Sequence, residues 1–89
     1  MQIHLAGDLD RDNAWALTAA VIRSESVSAE RLVLDFRGLE FIDAGGLRAI
    51  AEAGRRTRRH GRGLELANPS DHLLRLLRLT GLDQSLKVV

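Results

Sequence analysis

The chain has 89 residues, 13 basic against 12 acidic side chains, one proline and no cysteine. A chain of this length buries only about 60% of the surface its unfolded form exposes, so its apolar segments must serve one core, and residues 1 to 89 read as a single domain. Disulfides and thiolate metal sites are excluded, His4, His60 and His72 are too scattered for a zinc site, and no cofactor is expected. No apolar run approaches the roughly 20 residues needed to span a bilayer, and the N-terminus lacks a basic-then-apolar leader, so a cytoplasmic protein without membrane insertion is the expectation.

Gln2 to Ala6 alternates polar and apolar, with Ile3 and Leu5 on one face, and reads as a strand turning at Gly7. From Asp12 to about Ser24, Ala14, Leu17, Ala20 and Val21 recur at helical spacing, with Asp10 or Asp12 available to accept the first amides. Arg31 to Phe36 holds the continuous run Leu32, Val33, Leu34, which suits a strand covered on both faces by helices. Gly38 reads as a turn, Phe41 and Ile42 as a short extended piece, and Ala44 to His60 as a second helix with Leu47, Ile50, Ala51 and Gly54 buried, stopped by Gly61.

Leu64 to Ala67 reads as a strand, after which Pro69 fits the first turn of a third helix capped by Asn68 or Ser70. That helix stops at Gly81, with Leu73, Leu76 and Leu77 on its apolar face, and Leu86 to Val89 forms a last strand. The order β-α-β-α-β-α-β implies an α/β fold with a small, mostly parallel sheet of about four strands. The loops 7 to 12, 43 to 46 and 68 to 71 would then share the carboxyl edge of the sheet, where ligands and partners usually sit.

The stretch Leu32-Val33-Leu34-Asp35-Phe36-Arg37-Gly38-Leu39-Glu40-Phe41-Ile42-Asp43-Ala44-Gly45-Gly46-Leu47 resembles the signature of STAS domains, the module of bacterial anti-sigma-factor antagonists and of sulphate-transporter tails. Ala6-Gly7-Asp8-Leu9-Asp10 is similar to the family's early turn, and Asn68-Pro69-Ser70 through Leu79-Thr80-Gly81-Leu82-Asp83 to its third helix. The resemblance implies a protein-binding regulatory module rather than an enzyme. Its implied partner is an anti-sigma factor with a kinase-like ATP fold, which in switched relatives phosphorylates a hydroxyl at the position of Ala44. That phosphoacceptor is lost here, and Gly45 stands where serine is common. A permanently binding-competent domain is one reading; a different partner that merely packs on this residue is the other.

On this resemblance the partner surface centres on Asp43, Ala44, Gly45, Gly46 and Arg48, flanked by Asp8, Asp10, Asn68 and Ser70. Asp43 reads either as a carboxylate facing the partner or as a helix cap. Gly45 and Gly46 lack the Gly-Lys-Ser/Thr ending of a phosphate loop and read better as glycines admitting a close helix approach. Relatives that serve as the STAS-like regulatory subunit of a membrane ABC lipid transporter also depart from Asp-Ser-Ser-Gly here, which makes an ABC transporter ATPase subunit the alternative partner. Relatives also commonly carry an extra opening strand and closing helix, so the 89 residues could form one domain of a longer protein.

Twelve of the 13 basic residues are arginine, and Arg55, Arg56, Arg58, Arg59 and Arg62 crowd together with His60. They fall in and just beyond the last turns of the second helix, where cations complement the helix dipole, and they cannot all face one way. With one Trp, two Phe and no Tyr there is no base-stacking platform, so no nucleic-acid partner is expected. Ser24, Ser26, Ser28, Ser70 and Ser85 have no histidine placed to activate them. Trp15 reads as core or cover for the sheet, or as an anchor beside the candidate surface.

Overall fold

The computed structural model describes residues 1–26 and 31–89; Ser28 lies outside the described residues. Strand β1 (Gln2–Leu9) leads to helix α1 (Ala14–Ser24), β2 (Arg31–Ile42), α2 (Ala44–Arg59), β3 (Gly63–Ala67) and α3 (Asp71–Thr80). A short 3-10 turn, Leu82–Gln84, then precedes β4 (Lys87–Val88). All neighbouring strands are parallel, in the order β1-β2-β3-β4. The α/β order read from the sequence stands.

Because the strands follow one another in sequence order, each crossover steps in the same direction. Crossovers of one hand then lay every helix on one face of the sheet. The burial pattern agrees. From β2 and β3 the core takes Leu32, Leu34, Phe36, Leu64 and Leu66, which meet Leu17 and Val21 of α1, Leu47, Ile50 and Ala53 of α2, and Leu73 and Leu77 of α3. The alternate residues form a polar outer face. There Glu65 lies 3.4 Å from both Arg31 and Lys87, and Asp35 lies 3.3 Å from His4. The expectation of helices on both faces of β2 is therefore corrected: the consecutive apolar residues around Val33 do not mark two buried faces.

Both early strands outrun their sequence-based limits. Gly7 has φ +69° but kinks β1 instead of ending it, and the strand continues to Leu9. Gly38 makes no turn, and β2 runs unbroken for 12 residues. Pairing explains both: Ala6, Gly7, Asp8 and Leu9 find partners in Gly38, Leu39, Phe41 and Ile42. Backbone groups paired in a ladder outweigh the local turn preference of glycine. Two register shifts put one extra residue each into β2, between His4 and Ala6 and between Gly7 and Asp8. Each bulge restores the facing of the strand, so Leu39 and Ile42 return to the core side while Phe41, opposite Asp8, stays outside and 52% exposed.

The long β2 also separates the loops. The end of β3, Ala67, pairs with Asp35, whereas the end of β1, Leu9, pairs with Ile42, seven residues further along β2. Among the described residues, the loop after β1 meets the end of β2, where Asp43 accepts the Arg11 N–H.

Candidate functional site

The site forms where β1 and β2 end side by side. After Leu9 the chain turns through a reciprocal pair: the Asp10 N–H donates to Asn13 Oδ1 at 2.8 Å, and Asp10 Oδ1 accepts the N–H groups of Asp12 at 2.9 Å and Asn13 at 3.0 Å. Asn13 Nδ2 donates back to the Asp8 carbonyl at 2.8 Å. The helix therefore begins at Ala14, two residues later than the sequence reading placed it; neither Asp10 nor Asp12 caps it with a side chain, and Asp10 Oδ1 accepts amides of the preceding turn.

Asp43 sits just before α2 in extended conformation. Its Oδ1 accepts the Gly46 N–H at 2.9 Å, and its Oδ2 accepts the Arg11 N–H at 3.2 Å. The Gly46 N–H is the main reason its carboxyl is held below the usual carboxylate range, with the Arg11 and Gly45 amides adding to it and desolvation opposing it. The carboxylate is thus a cap that also fastens the β1–α1 loop to the start of α2.

The two glycines make that fastening possible. A Cβ on Gly46 would lie 2.3 Å from the Leu9 carbonyl oxygen, and one on Gly45 would lie 2.7 Å from Cα and Cβ of Arg11. Both are backbone-to-backbone approaches that no side chain fits. Gly46 is buried, so it supports the surface without being part of it.

What remains exposed is a small platform: Ala44 at the first position of α2, Arg48 one turn on, and Asp8, Arg11 and Asp12 beside them. Trp15, in the first turn of α1, is 70% exposed and belongs to neither core nor sheet cover. Arg11 was not singled out in the sequence; its amide and backbone act through contacts 32 residues distant along the chain, for which no local pattern exists.

Asn68 and Ser70 lie elsewhere, which corrects their grouping with the α2 start. Asn68 Nδ2 donates to Asp35 Oδ1 at 3.1 Å, and Ser70 Oγ accepts the Leu73 N–H at 3.0 Å as the cap of α3. Pro69 stands before that cap and outside the helix. Asp35, buried on the outer face, has its carboxyl held low first by the Arg37 N–H and then by Asn68.

The arginines divide as their helical positions require. Arg56 pairs with Glu25 across to the end of α1, Arg55 and Arg59 share Glu52, and Arg58 donates to the Ser85 carbonyl at 3.0 Å. No cluster of three or more metal-ligating side chains occurs among the described residues, nor any helix long and apolar enough to cross a membrane.

A parallel sheet with its helices on one face, whose loops after β1 and β2 are locked together at the start of α2, has the architecture of a STAS domain. The family model described as "Mlab, STAS domain" matches residues 1–89, and the chain belongs to the STAS domain family. No curated protein sequence matches it. Among solved structures it is similar to a sulfate transporter family protein of Wolinella succinogenes, with TM-score 0.85, 24% identity, and 98% of this chain and 73% of that chain covered. A putative anti-sigma factor antagonist of Thermotoga maritima gives 0.84 at 23% identity, with 98% and 77% covered. The unphosphorylated anti-sigma factor antagonist SpoIIAA gives 0.77 at 18% identity, with 99% and 76% covered. At these identities the likeness is one of fold.

Proposed function

We propose that this chain is an anti-sigma-factor antagonist that binds a cytoplasmic anti-sigma factor of kinase-like ATP fold through the start of α2. The observation that carries the reading is the exposed methyl of Ala44 on a helix start whose capping groups are satisfied from within. A phosphate on a hydroxyl at this position would add roughly −1.5 to −2 charges beside Asp43. Alanine accepts none, so the surface is permanently uncharged there and permanently competent to bind. Ala44 and Arg48 form its centre, with Asp8, Arg11 and Trp15 at its border; Asp43, Asp10, Gly45 and Gly46 hold its shape.

Calorimetric titration of the chain with the kinase-fold anti-sigma factors of its own genome tests this. Binding that is weakened at least tenfold by Ala44→Glu and by Arg48→Glu, roughly 1.4 kcal/mol or more, supports it. Binding indifferent to both substitutions removes it. Gly46→Arg is no substitute, because it would displace the Leu9 carbonyl and unfold the site.

A second reading, as the STAS-like regulatory subunit of a membrane ABC lipid transporter, draws support from the family description. Co-purification with an ABC ATPase subunit in place of a kinase-fold protein selects it.

A further inference from the structure

The three helices cover one side of the sheet and run the same way, antiparallel to the strands, so their later turns gather at one end of the layer. On α2, the middle helix, the buried stripe Leu47, Ile50, Gly54 and Thr57 leaves Arg48, Glu52, Arg55 and Arg59 turned outward at steps of three and four residues. On α1 the side away from Leu17 and Val21 carries Ile22, 44% exposed. On α3 the side away from Leu73 and Leu77 carries Arg75, Arg78 and Leu79, the last 76% exposed. An arginine stripe is thereby bordered by outward aliphatic side chains on both flanking helices. The helix dipole accounts for Arg59 and Arg78, which lie in last turns. It does not account for Arg55 and Arg75, which lie further from the carbonyl ends, or for two aliphatic side chains held in water beside them. Among the described residues of these later turns Glu52 is the one carboxylate, and it is shared by Arg55 at 2.7 Å and Arg59 at 3.6 Å. Arg55, Arg58 and Arg59 together line a shallow cavity of about 390 Å³.

We propose that this end of the helix layer docks on the surface of an anionic lipid bilayer, with Ile22 and Leu79 entering the headgroup region and Arg55, Arg59, Arg75 and Arg78 meeting lipid phosphates. The charge is complementary, and guanidinium groups pair with phosphate oxygens in a planar, forked geometry. The cavity walled by Arg55, Arg58 and Arg59 receives one such phosphate. A bilayer suits this face better than a protein does because its two aliphatic side chains stand apart, on α1 and α3, with charge between them. Each can immerse singly in a soft interface, whereas a protein contact concentrates its energy in a continuous, desolvated cluster. Ala44 lies at the opposite end of α2, roughly 22 Å along the helix axis from Arg59, so the docked domain keeps its proposed partner surface in water.

Cosedimentation of the 89-residue chain with lipid vesicles tests the docking. Phosphatidylcholine vesicles carrying roughly one-third phosphatidylglycerol should bind it at least about tenfold more tightly than phosphatidylcholine alone, and added salt should weaken the binding. Arg75→Glu should weaken it at least about tenfold, whereas Arg37→Glu, the same change of charge on β2 outside the helix layer, should stay within about twofold. Leu79→Ser should cost at least about threefold by removing one immersed aliphatic group. All three side chains are exposed, so the circular dichroism spectrum of each variant should match that of the unaltered chain. Equal binding to the two kinds of vesicle overturns the proposal. Equal losses in Arg75→Glu and Arg37→Glu overturn it too, since they would reduce the effect to net charge. Binding indifferent to Leu79→Ser overturns it as well and assigns the basic face to an acidic protein. None of these substitutions alters Ala44 or Arg48, so each outcome leaves the reading of the α2 start to its own experiment.

Discussion

Asp43 and Arg11 stand 32 positions apart, yet the Asp43 carboxylate accepts the Arg11 backbone N–H at 3.2 Å while its other oxygen caps α2 at Gly46. One side chain thereby fixes the relation of two loops, and with it the outline of the surface around Ala44. Asp43, Gly45 and Gly46 are committed to capping and packing, which leaves Ala44 and Arg48 as the outward-facing residues of the helix start.

This commitment makes the site sensitive to acid. Asp43 and Asp35 both hold their carboxyls below the ordinary range, through the Gly46 and Arg37 amides first. A carboxyl depressed in the fold contributes stability that is complete above its unfolded pKa, about 3.9, and is lost as the pH falls through its lower folded value. Urea midpoints should therefore stay level on acidification to about pH 5 and fall below about pH 4. Asp43→Asn should lower the midpoint at neutral pH and flatten the acid slope; an unchanged slope would show that Asp43 does not carry it.

The glycines of α2 should differ in their tolerance of a methyl group. Gly46→Ala drives a Cβ into the Leu9 carbonyl and should cost at least about 2 kcal/mol. Gly54→Ala meets chiefly the Leu86 Cδ2, the end of a side chain that can rotate, and gains helix propensity, so its cost should stay below about 1 kcal/mol. Chemical denaturation of the two variants measures the difference, and equal losses would contradict the packing described for the β1–α1 loop.

Ser70 should behave as a helix cap without a role in partner binding. Ser70→Ala removes the acceptor for the Leu73 N–H and should cost about 1 kcal/mol of stability, while affinity for the α2-binding partner stays within about twofold. A large loss of affinity in a folded Ser70→Ala variant would return the β3–α3 loop to the binding surface.

Restoring a hydroxyl tests the reading of Ala44. Intact-mass measurement after incubation with a kinase-fold partner and ATP should show one added phosphoryl group on Ala44→Ser and none on the unaltered chain. Phosphorylation of the unaltered chain at any other hydroxyl would end the account of a permanently competent surface.

Much of this was legible in the residue order. The alternation of apolar periods gave the α/β class, Ser70 was one of two candidates for the third cap, and the Asp43-Ala44-Gly45-Gly46 run marked both the helix start and the missing hydroxyl. These are local properties, set by side-chain periodicity and by the orphan amides of a helix end. Gly7 and Gly38 misled for the same reason. Read locally they end strands, but the ladder between β1 and β2 supplies partners that no local window contains.

The sequence by itself thus determined the element order, the family resemblance, and the absence of cysteine and of a phosphoacceptor at position 44. Tertiary structure alone decided the rest. Seven further residues of β2 beyond its last pairing with β3 carry the α2 start away from Asn68 and Ser70, and the sequential strand order leaves one face of the sheet polar. The near-neutral charge balance also gained a shape: in the last turns of α2, Arg56 turns to Glu25, Arg58 to the Ser85 carbonyl, and Arg55 and Arg59 both to Glu52, while the proposed partner surface lies at the other end of the helix, where backbone contacts between distant segments settle which side chains stay exposed.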